Sequence, residues 1–248
     1  MKYIILGIIQ GLTEFLPVSS SGHLVIAEKL LGIESNQLLI AVICHLGTLL
    51  AMVLYFFKDI IGLFKKPALI GHILIITVIT GIIGLGGKDF FESLFVRPRA
   101  VGISLLITGI VLLFAGRFQK GKRSLNSIDI RDSAFLGIMQ AIAIVPGISR
   151  SGMTISALFF RNLEKEAAFR LSFLAGMPAI AGAFLLEFKD AGKMAAGQTN
   201  GLIIAFTVSF IVGLLALAAL RLMLIRSKFH YFGYYCIALA ISTLILLR

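Results

Sequence analysis

Apolar residues fill most of this chain in long stretches without formal charge. Six stretches approach the length of about 20 residues that an α-helix needs to cross the hydrocarbon of a bilayer. The pattern predicts an all-α, polytopic integral membrane protein with six full transmembrane helices. The stretches are residues 38–57, 68–86, 100–116, 171–186, 201–220 and 229–247.

Two further regions are apolar but are interrupted by Pro, Gly and polar residues. The first consists of residues 3–17 and 22–31, and the second of residues 134–146 and 152–160. No single piece is long enough to cross a bilayer. Because backbone amides cannot be left bare in lipid, a break at membrane depth must be shielded by protein. Each region therefore predicts a re-entrant helical hairpin that enters and leaves on one side.

The two broken regions repeat one another at an offset of about 130 positions. "LGIIQGLTEFLPVSSSGH" begins at Leu6, and "LGIMQAIAIVPGISRSGM" begins at Leu136. A second echo places Phe-Lys-Asp at 57–59 and again at 188–190. Two matches at nearly one offset favour a duplicated unit.

Each proposed unit holds one hairpin and three full spans, the first at about 1–118 and the second at about 131–248. Three is an odd number, so the second unit begins on the opposite side of the membrane. The chain is therefore predicted to be a single membrane domain built from an inverted-topology repeat.

Composition agrees with a membrane protein, since 58% of residues are hydrophobic and 14% are charged. The net charge of +11 lies mostly in short loops, which argues for membrane topology and against nucleic acid binding. Loops on one side carry the larger share of Lys and Arg. By the positive-inside rule, both chain ends and the entry of the first hairpin lie outside. These basic loops lie around 65, 120–131, 161–165 and 226.

Glu14 and Arg150 are ionisable residues inside the broken regions, where charge is costly and therefore marks function by default. Gln10 precedes Glu14 by four positions and shares its helix face. Their oxygens could hold a divalent cation such as Mg²⁺ or Ca²⁺. The alternative is that Glu14 pairs with Arg150 only to fix the packing.

Three serines and a histidine follow the first break. Ser19, Ser20 and Ser21 are good helix N-caps, and capping alone could explain any one of them. His23, however, lies three positions after Ser20 at a helix start. That spacing lets a hydroxyl nucleophile and its base meet on one face.

The second break offers a helix N-terminus, hydroxyl groups and a guanidinium. Arg150 supplies a planar fork suited to phosphate oxygens, and the hydroxyls of Ser149, Ser151 and Thr154 lie close by in the sequence. If the tips of the two broken regions meet, one brings acid, base and hydroxyl chemistry while the other binds an anion. Phosphoryl transfer requires that combination.

Other polar and aromatic residues are interpreted as structural. His45 and His72 lie in full spans and are expected to form interhelical hydrogen bonds. An aromatic belt at the membrane surface is expected from Tyr231, Phe232, Tyr234 and Tyr235.

The motifs "QGLTEFLPVSSSGH" and "PGISRSGMT" resemble the two signature regions of the undecaprenyl-diphosphate phosphatase family, also called bacitracin resistance proteins. The resemblance covers the whole chain. The family's first motif is an acid or Gln, three residues and then Glu. This chain has Gln10 and Glu14, so it lacks the second carboxylate that would strengthen a metal site.

The resemblance implies a membrane enzyme that removes the terminal phosphate of undecaprenyl diphosphate with help from a divalent cation. Matched by position, Glu14 and Gln10 are metal-associated, Ser20 is the candidate nucleophile, His23 its acid or base, and Arg150 the phosphate anchor. The proposed binding set also includes Ser19, Ser21, Ser149, Ser151 and Thr154. The implied location is the bacterial cytoplasmic membrane, with the pocket facing the extracytoplasmic side.

The residues alone also allow functions other than an enzyme to be considered. Inverted repeats with broken helices also build secondary transporters, so a transporter or lipid flippase for an anionic substrate is the rival. A purely structural scaffold does not explain buried Glu14 and Arg150. The expected partners are a prenyl diphosphate lipid and membrane lipid, and a homodimer is left open.

Overall fold

A computed structural model describes residues 1–32, 37–95, 97–190 and 199–246. Within these ranges the chain is helical and has no β-strand; Arg123 and Leu163 form an isolated bridge. Two 3₁₀ turns, Gly116–Phe118 and Leu125–Ser127, lie in the connector between the halves. The helices are α1 (Lys2–Thr13), α2 (Ser20–Leu31), α3 (Gln37–Tyr55), α4 (Phe57–Leu63), α5 (Pro67–Gly86), α6 (Lys88–Phe95), α7 (Pro98–Ala115), α8 (Ile130–Ile142), α9 (Arg150–Phe160), α10 (Lys165–Asp190), α11 (Thr199–Ile225) and α12 (Tyr231–Leu246).

Five of the described helices, α3, α5, α7, α10 and α11, are long and apolar enough to cross a membrane. They carry exposed apolar side chains such as Ile82 and Leu215, 68% and 66% exposed, which lipid solvates without cost. The polytopic helical prediction is confirmed. The sixth expected span contains the shorter helix α12, of 16 residues.

A helix can be longer than the uncharged stretch that predicts it. The stretch 171–186 lies within α10, which continues through Glu166 and Arg170 in its first turns. These charged residues pair with each other at 3.1 Å, so the helix extends beyond the apolar stretch. Sequence hydropathy alone underestimates the length of such a helix because long charged side chains keep their heads in water.

The two broken regions each form a pair of short helices that contact one another, α1 with α2 and α8 with α9. A helix of 12 residues such as α1 is about 18 Å long, less than the bilayer core of about 30 Å. The backbone reverses through left-handed residues: Ser19 has φ of 70° and Gly147 has φ of 92°. Glycine adopts this conformation freely, whereas Ser19 is strained there.

The first helix of each half of the chain packs on a long helix of the other half. Helix α1 packs on α11 of the second half, and α8 packs on α5 of the first. At Gly7, an added Cβ would lie 2.9 Å from the Ala205 carbonyl oxygen and 3.0 Å from Val208 Cβ. At Gly137, which stands at the repeat offset from Gly7, an added Cβ would lie 2.9 Å from Ile79 Cβ. The same close approach therefore occurs twice.

A buried carboxylate ties the connector to the start of the second half. Asp132 is 1% exposed and accepts hydrogen bonds from Arg123 at 2.6 and 3.1 Å and from Arg161 at 2.5 Å. It also forms a capping box with Asp129 at the start of α8. Burial raises the pKa of Asp132, but the hydrogen bonds from Arg123, the Asp129 amide and Arg161 outweigh burial and hold that pKa below its usual value.

The glycine contacts predict a selective loss of stability. Gly7→Ala and Gly137→Ala each place a methyl group against a neighbouring helix, and we expect each to cost about 1–3 kcal/mol of unfolding free energy. Gly71→Ala is the matched control, because a Cβ there meets nothing within 4 Å. Thermal unfolding in detergent should show a lower Tm for the first two variants and an unchanged or higher Tm for the control. Equal Tm values for all three would contradict the packing.

Candidate active site

The carboxylate of Glu14 is the centre of a hydrogen-bonded cluster just after α1. Glu14 is 5% exposed, and its amide donates to the Gln10 carbonyl at 2.9 Å, so helical phase still sets the direction of its side chain. Gln10 lies one turn earlier, and its Nε2 donates to Glu14 Oε2 at 2.9 Å. The two side chains therefore share a face, as the spacing predicts.

Arg150, the first residue of α9, supplies the positive charge of this cluster. Its Nη2 donates to Glu14 Oε1 in an ion pair. The side chain of Arg150 is 23% exposed, whereas that of Glu14 is 2% exposed. The guanidinium therefore lies between the buried carboxylate and the outside of the protein. The two broken regions, expected to meet at their tips, do so through this pair.

Gly176 of α10 makes room for the guanidinium. A Cβ at that position would lie 2.9 Å from Arg150 Nη1 and 4.0 Å from Gln140 Oε1. Gln140 is 2% exposed, and its Nε2 donates to Thr80 Oγ1 at 3.2 Å. Arg150 therefore lies against bare backbone on one side, and a side chain at position 176 would displace it.

The hydroxyl of Ser20, at the start of α2, donates to Glu14 Oε2 at 2.7 Å. Ser20, the candidate nucleophile, and Arg150, the candidate phosphate anchor, thus contact the same carboxylate through different oxygens. A carboxylate only accepts hydrogen bonds, so the proton of the Ser20 hydroxyl points at Glu14. The group placed to take that proton is Glu14.

His23 has partners other than Ser20. Its Nδ1 lies 2.7 Å from the Ser19 carbonyl oxygen, and its Nε2 lies 2.7 Å from the Tyr235 hydroxyl. The spacing of Ser20 and His23 predicts a direct pair, but both nitrogens of the ring are engaged elsewhere. The left-handed backbone at Ser19 sets the direction of the chain into α2, where this carbonyl meets the ring.

His45 of α3 also faces the central carboxylate. Its Nδ1 lies 2.8 Å from the Ala41 carbonyl of its own helix, and its Nε2 lies 3.7 Å from Glu14 Oε2. The expected interhelical hydrogen bond is seen instead at His72, whose Nδ1 lies 2.7 Å from the Ser133 hydroxyl on α8. His45 therefore belongs to the candidate site.

The remaining serines of both motifs cap helices in the same way. The amide of Gly22 donates to Ser19 Oγ at 3.3 Å, and the amide of Gly152 donates to Ser149 Oγ at 3.1 Å. A second serine accompanies each cap at 3.3 Å, Ser21 beside Ser19 and Ser151 beside Ser149. Capping is therefore a structural role of Ser19 and Ser149 in this arrangement.

Contacts between the two motifs hold the tips together. The Gly147 amide donates to Ser21 Oγ at 3.4 Å. Thr154 is 1% exposed, and its hydroxyl donates to the Arg150 carbonyl at 2.8 Å and lies 2.6 Å from Ser172 Oγ on α10. Thr154 thus supports the turn that carries Arg150, and its expected contact with substrate stays a prediction.

The sequence does not identify Tyr235, Ser172 or Gly176 as residues of the candidate site. Tyr235 belongs to a string of aromatic residues that is typical of a membrane-surface belt, and it meets His23 from 212 positions away. Ser172 and Gly176 lie in an apolar helix with no motif around them.

The donors available to a divalent cation are few. Among the described residues, no group of three or more His, Cys, Asp and Glu side chains is placed to hold a metal ion. Glu14 offers a carboxylate, and Gln10 Oε1 is buried without a hydrogen-bond partner in the described part of the chain. One carboxylate and one orphaned amide oxygen fit Mg²⁺, which commonly binds one or two carboxylates together with substrate phosphates.

Comparison with known proteins agrees with these motifs. A sequence model described as "Bacitracin resistance protein BacA" matches residues 3–242. Proteins named undecaprenyl-diphosphatase are similar over nearly the whole chain: one from Carboxydothermus hydrogenoformans is 41% identical over 98% of this chain and 95% of its own length. One from Halothermothrix orenii is 41% identical over 99% and 97%. Undecaprenyl-diphosphatase 3 of Bacillus cereus is 38% identical over 99% and 96%. With its two motifs joined at Glu14 and Arg150, this chain belongs to the bacitracin resistance protein BacA family.

Proposed function

We propose that this protein is a membrane hydrolase that removes the terminal phosphate of undecaprenyl diphosphate and yields the monophosphate carrier lipid. Its relatives of about 40% identity carry the name of that activity. The observation that carries the proposal is the shared carboxylate: Ser20 and Arg150 both bind Glu14. The site thus brings together a hydroxyl group, a carboxylate that can accept its proton and a guanidinium that can bind an anion.

The diphosphate head binds where Arg150 now holds Glu14. Phosphoryl transfer is catalysed mainly by positioning and by neutralising charge on the phosphate oxygens. The guanidinium is partly exposed and can exchange one oxygen partner for another. The first turns of α2 and α9 add backbone amides near the same point.

In the first step, Ser20 Oγ attacks the terminal phosphorus while its proton passes to Glu14 Oε2. The bond between phosphorus and the bridging oxygen breaks, and the lipid monophosphate leaves. Glu14 can accept the proton because Arg150 has moved to the phosphate, so the carboxylate has lost its strongest partner. The products of this step are a phosphoserine and undecaprenyl phosphate.

In the second step, water attacks the phosphoserine and His23 accepts its proton. Nε2 of His23 carries the lone pair, because Nδ1 is directed at the Ser19 carbonyl. Inorganic phosphate is released, Ser20 Oγ regains its proton from Glu14 Oε2, and the imidazolium releases its proton to solvent. Two proton acceptors, Glu14 and His23, thus divide the two half-reactions between them.

A divalent cation fits beside Glu14 and Gln10 Oε1. When bound, it would neutralise charge on the diphosphate oxygens. Because one carboxylate would bind a cation weakly, the substrate phosphates would be needed as further ligands. Binding of cation and substrate should therefore be linked.

The broken regions are proposed to be re-entrant hairpins in two inverted units, about 1–118 and 131–248. The swapped packing of α1 on α11 and of α8 on α5 supports the duplication. The short lengths of α1, α2, α8 and α9 support hairpins that turn back within the membrane. The distribution of basic loops favours the cytoplasmic membrane, with the pocket open to the extracytoplasmic side.

The activity predicts phosphate release from undecaprenyl diphosphate by the purified protein in detergent. Chelation of divalent cations should abolish the release, and added Mg²⁺ or Ca²⁺ should restore it. Ser20→Ala removes the attacking oxygen and should lower kcat at least about 100-fold. Ser242→Ala is the matched control, because Ser242 is exposed and bonds only within its own helix at Ala238.

The two parts of this proposal fail separately. No phosphate release by folded wild-type protein would reject the enzyme. Release by wild type together with nearly unchanged turnover in Ser20→Ala would reject the nucleophile and leave water or His23 as the attacking group.

Gly176→Ala tests the position of Arg150 without touching its chemistry. The added methyl group displaces the guanidinium, and we expect kcat/KM to fall between about 10- and 100-fold. The Tm should change little, because the displaced atoms are the end of a flexible side chain. Gly182→Ala on the same helix is the control, since its Cβ meets nothing within 4 Å. Equal kcat/KM in both variants would show that Arg150 does not act from this place.

A further inference from the structure

Tyr235 contacts the candidate base from the far end of the chain. Its hydroxyl lies 2.7 Å from His23 Nε2, and the two ring planes are 5° apart with centroids separated by 5.7 Å. Tyr235 lies in the first turns of α12, whereas His23 lies in α2. The contact therefore joins the second half of the chain to the reactive tip of the first.

The partners of His23 fix the direction of both its hydrogen bonds. The Ser19 carbonyl can only accept, so Nδ1 of the ring carries a proton. In the neutral ring Nε2 then holds the lone pair, and the Tyr235 hydroxyl donates to it. His23 can thus accept a further proton only at the nitrogen that Tyr235 covers.

Tyr235 also differs from the aromatic residues beside it. Tyr231 and Tyr234 are 51% and 59% exposed, and the contacts recorded for their rings are with His230. Tyr235 is 48% exposed, yet its hydroxyl is directed into the site. His23 therefore has a half-exposed hydrogen-bond partner, whereas Glu14 is buried.

We propose that Tyr235 relays a proton between His23 and the attacking water in the hydrolytic half of the proposed reaction. Water loses a proton to the Tyr235 oxygen as its own oxygen bonds to phosphorus. Tyr235 simultaneously passes its hydroxyl proton to His23 Nε2, so the tyrosine is unchanged and the ring becomes imidazolium. The bond from phosphorus to Ser20 Oγ breaks, that oxygen regains its proton from Glu14, and the imidazolium passes its extra proton back through the Tyr235 hydroxyl to solvent.

The inference rests on the proposed function and is tested by Tyr235→Phe, which keeps the ring and removes the hydroxyl. We expect kcat for phosphate release to fall between about 10- and 100-fold, while KM and Tm stay close to wild type. Tyr234→Phe is the matched control on the neighbouring position and should retain wild-type kcat. A Tyr235→Phe variant with wild-type kcat would overturn the relay.

A double-mutant cycle separates the relay from a structural role. In a His23→Ala background, Tyr235→Phe should change the residual kcat less than twofold, because the relay has lost its acceptor. An equal fold loss in both backgrounds would show that Tyr235 acts independently of His23 and would overturn the proposal.

The solvent isotope effect gives a second measurement. The ratio of kcat in H₂O to that in D₂O should exceed one in wild type and fall in Tyr235→Phe, since fewer protons move. An unchanged ratio would again overturn the relay. Folded wild-type protein without phosphate release would instead reject the proposed function itself, so the two failures are distinguishable.

Discussion

The structure depends on one buried ion pair, between Glu14 and Arg150. A lone carboxylate in an apolar interior is strongly disfavoured, and so is a guanidinium that faces lipid. Each therefore requires the other, and the requirement brings together two breaks 136 positions apart. A pair of this kind adds little stability compared with apolar packing. Its presence here, with Ser20 on the same carboxylate, is better explained by chemistry than by packing.

The duplicated packing explains how two such breaks reach one point. Gly7 and Gly137 each bring a broken region against a long helix of the other half. Gly47 lets α3 approach α11, where an added Cβ would lie 3.2 Å from the Phe210 amide nitrogen, while Gly176 leaves its space to Arg150. The absence of a side chain thus allows a helix crossing at Gly47 and leaves room for the Arg150 guanidinium at Gly176.

Much of this arrangement follows from the sequence, because lipid permits few backbone solutions. Uncharged stretches mark the long helices, and breaks rich in Pro, Gly and Ser mark the turns. Hydrogen bonding within the site does not follow in the same way. Ser20 and His23 have the right spacing to meet, but the buried carboxylate of Glu14 attracts the hydroxyl, and the Ser19 carbonyl holds the ring. Helical periodicity predicts which residues share a face, but it does not predict the hydrogen-bond partner of each side chain. A contact such as that with Tyr235 has no local signal at all.

In the proposed reaction, the two proton acceptors occupy places that suit their half-reactions. Glu14 is buried and bound by Arg150, so it becomes available only when a phosphate draws the guanidinium away. This couples the first proton transfer to substrate binding and keeps Ser20 inactive in the empty site. His23 is less buried than Glu14 and contacts the half-exposed Tyr235, so the proposed hydrolytic step uses the more accessible acceptor. Two acceptors suit the two proposed steps, because shielding from water protects the first step and access to water is required for the second.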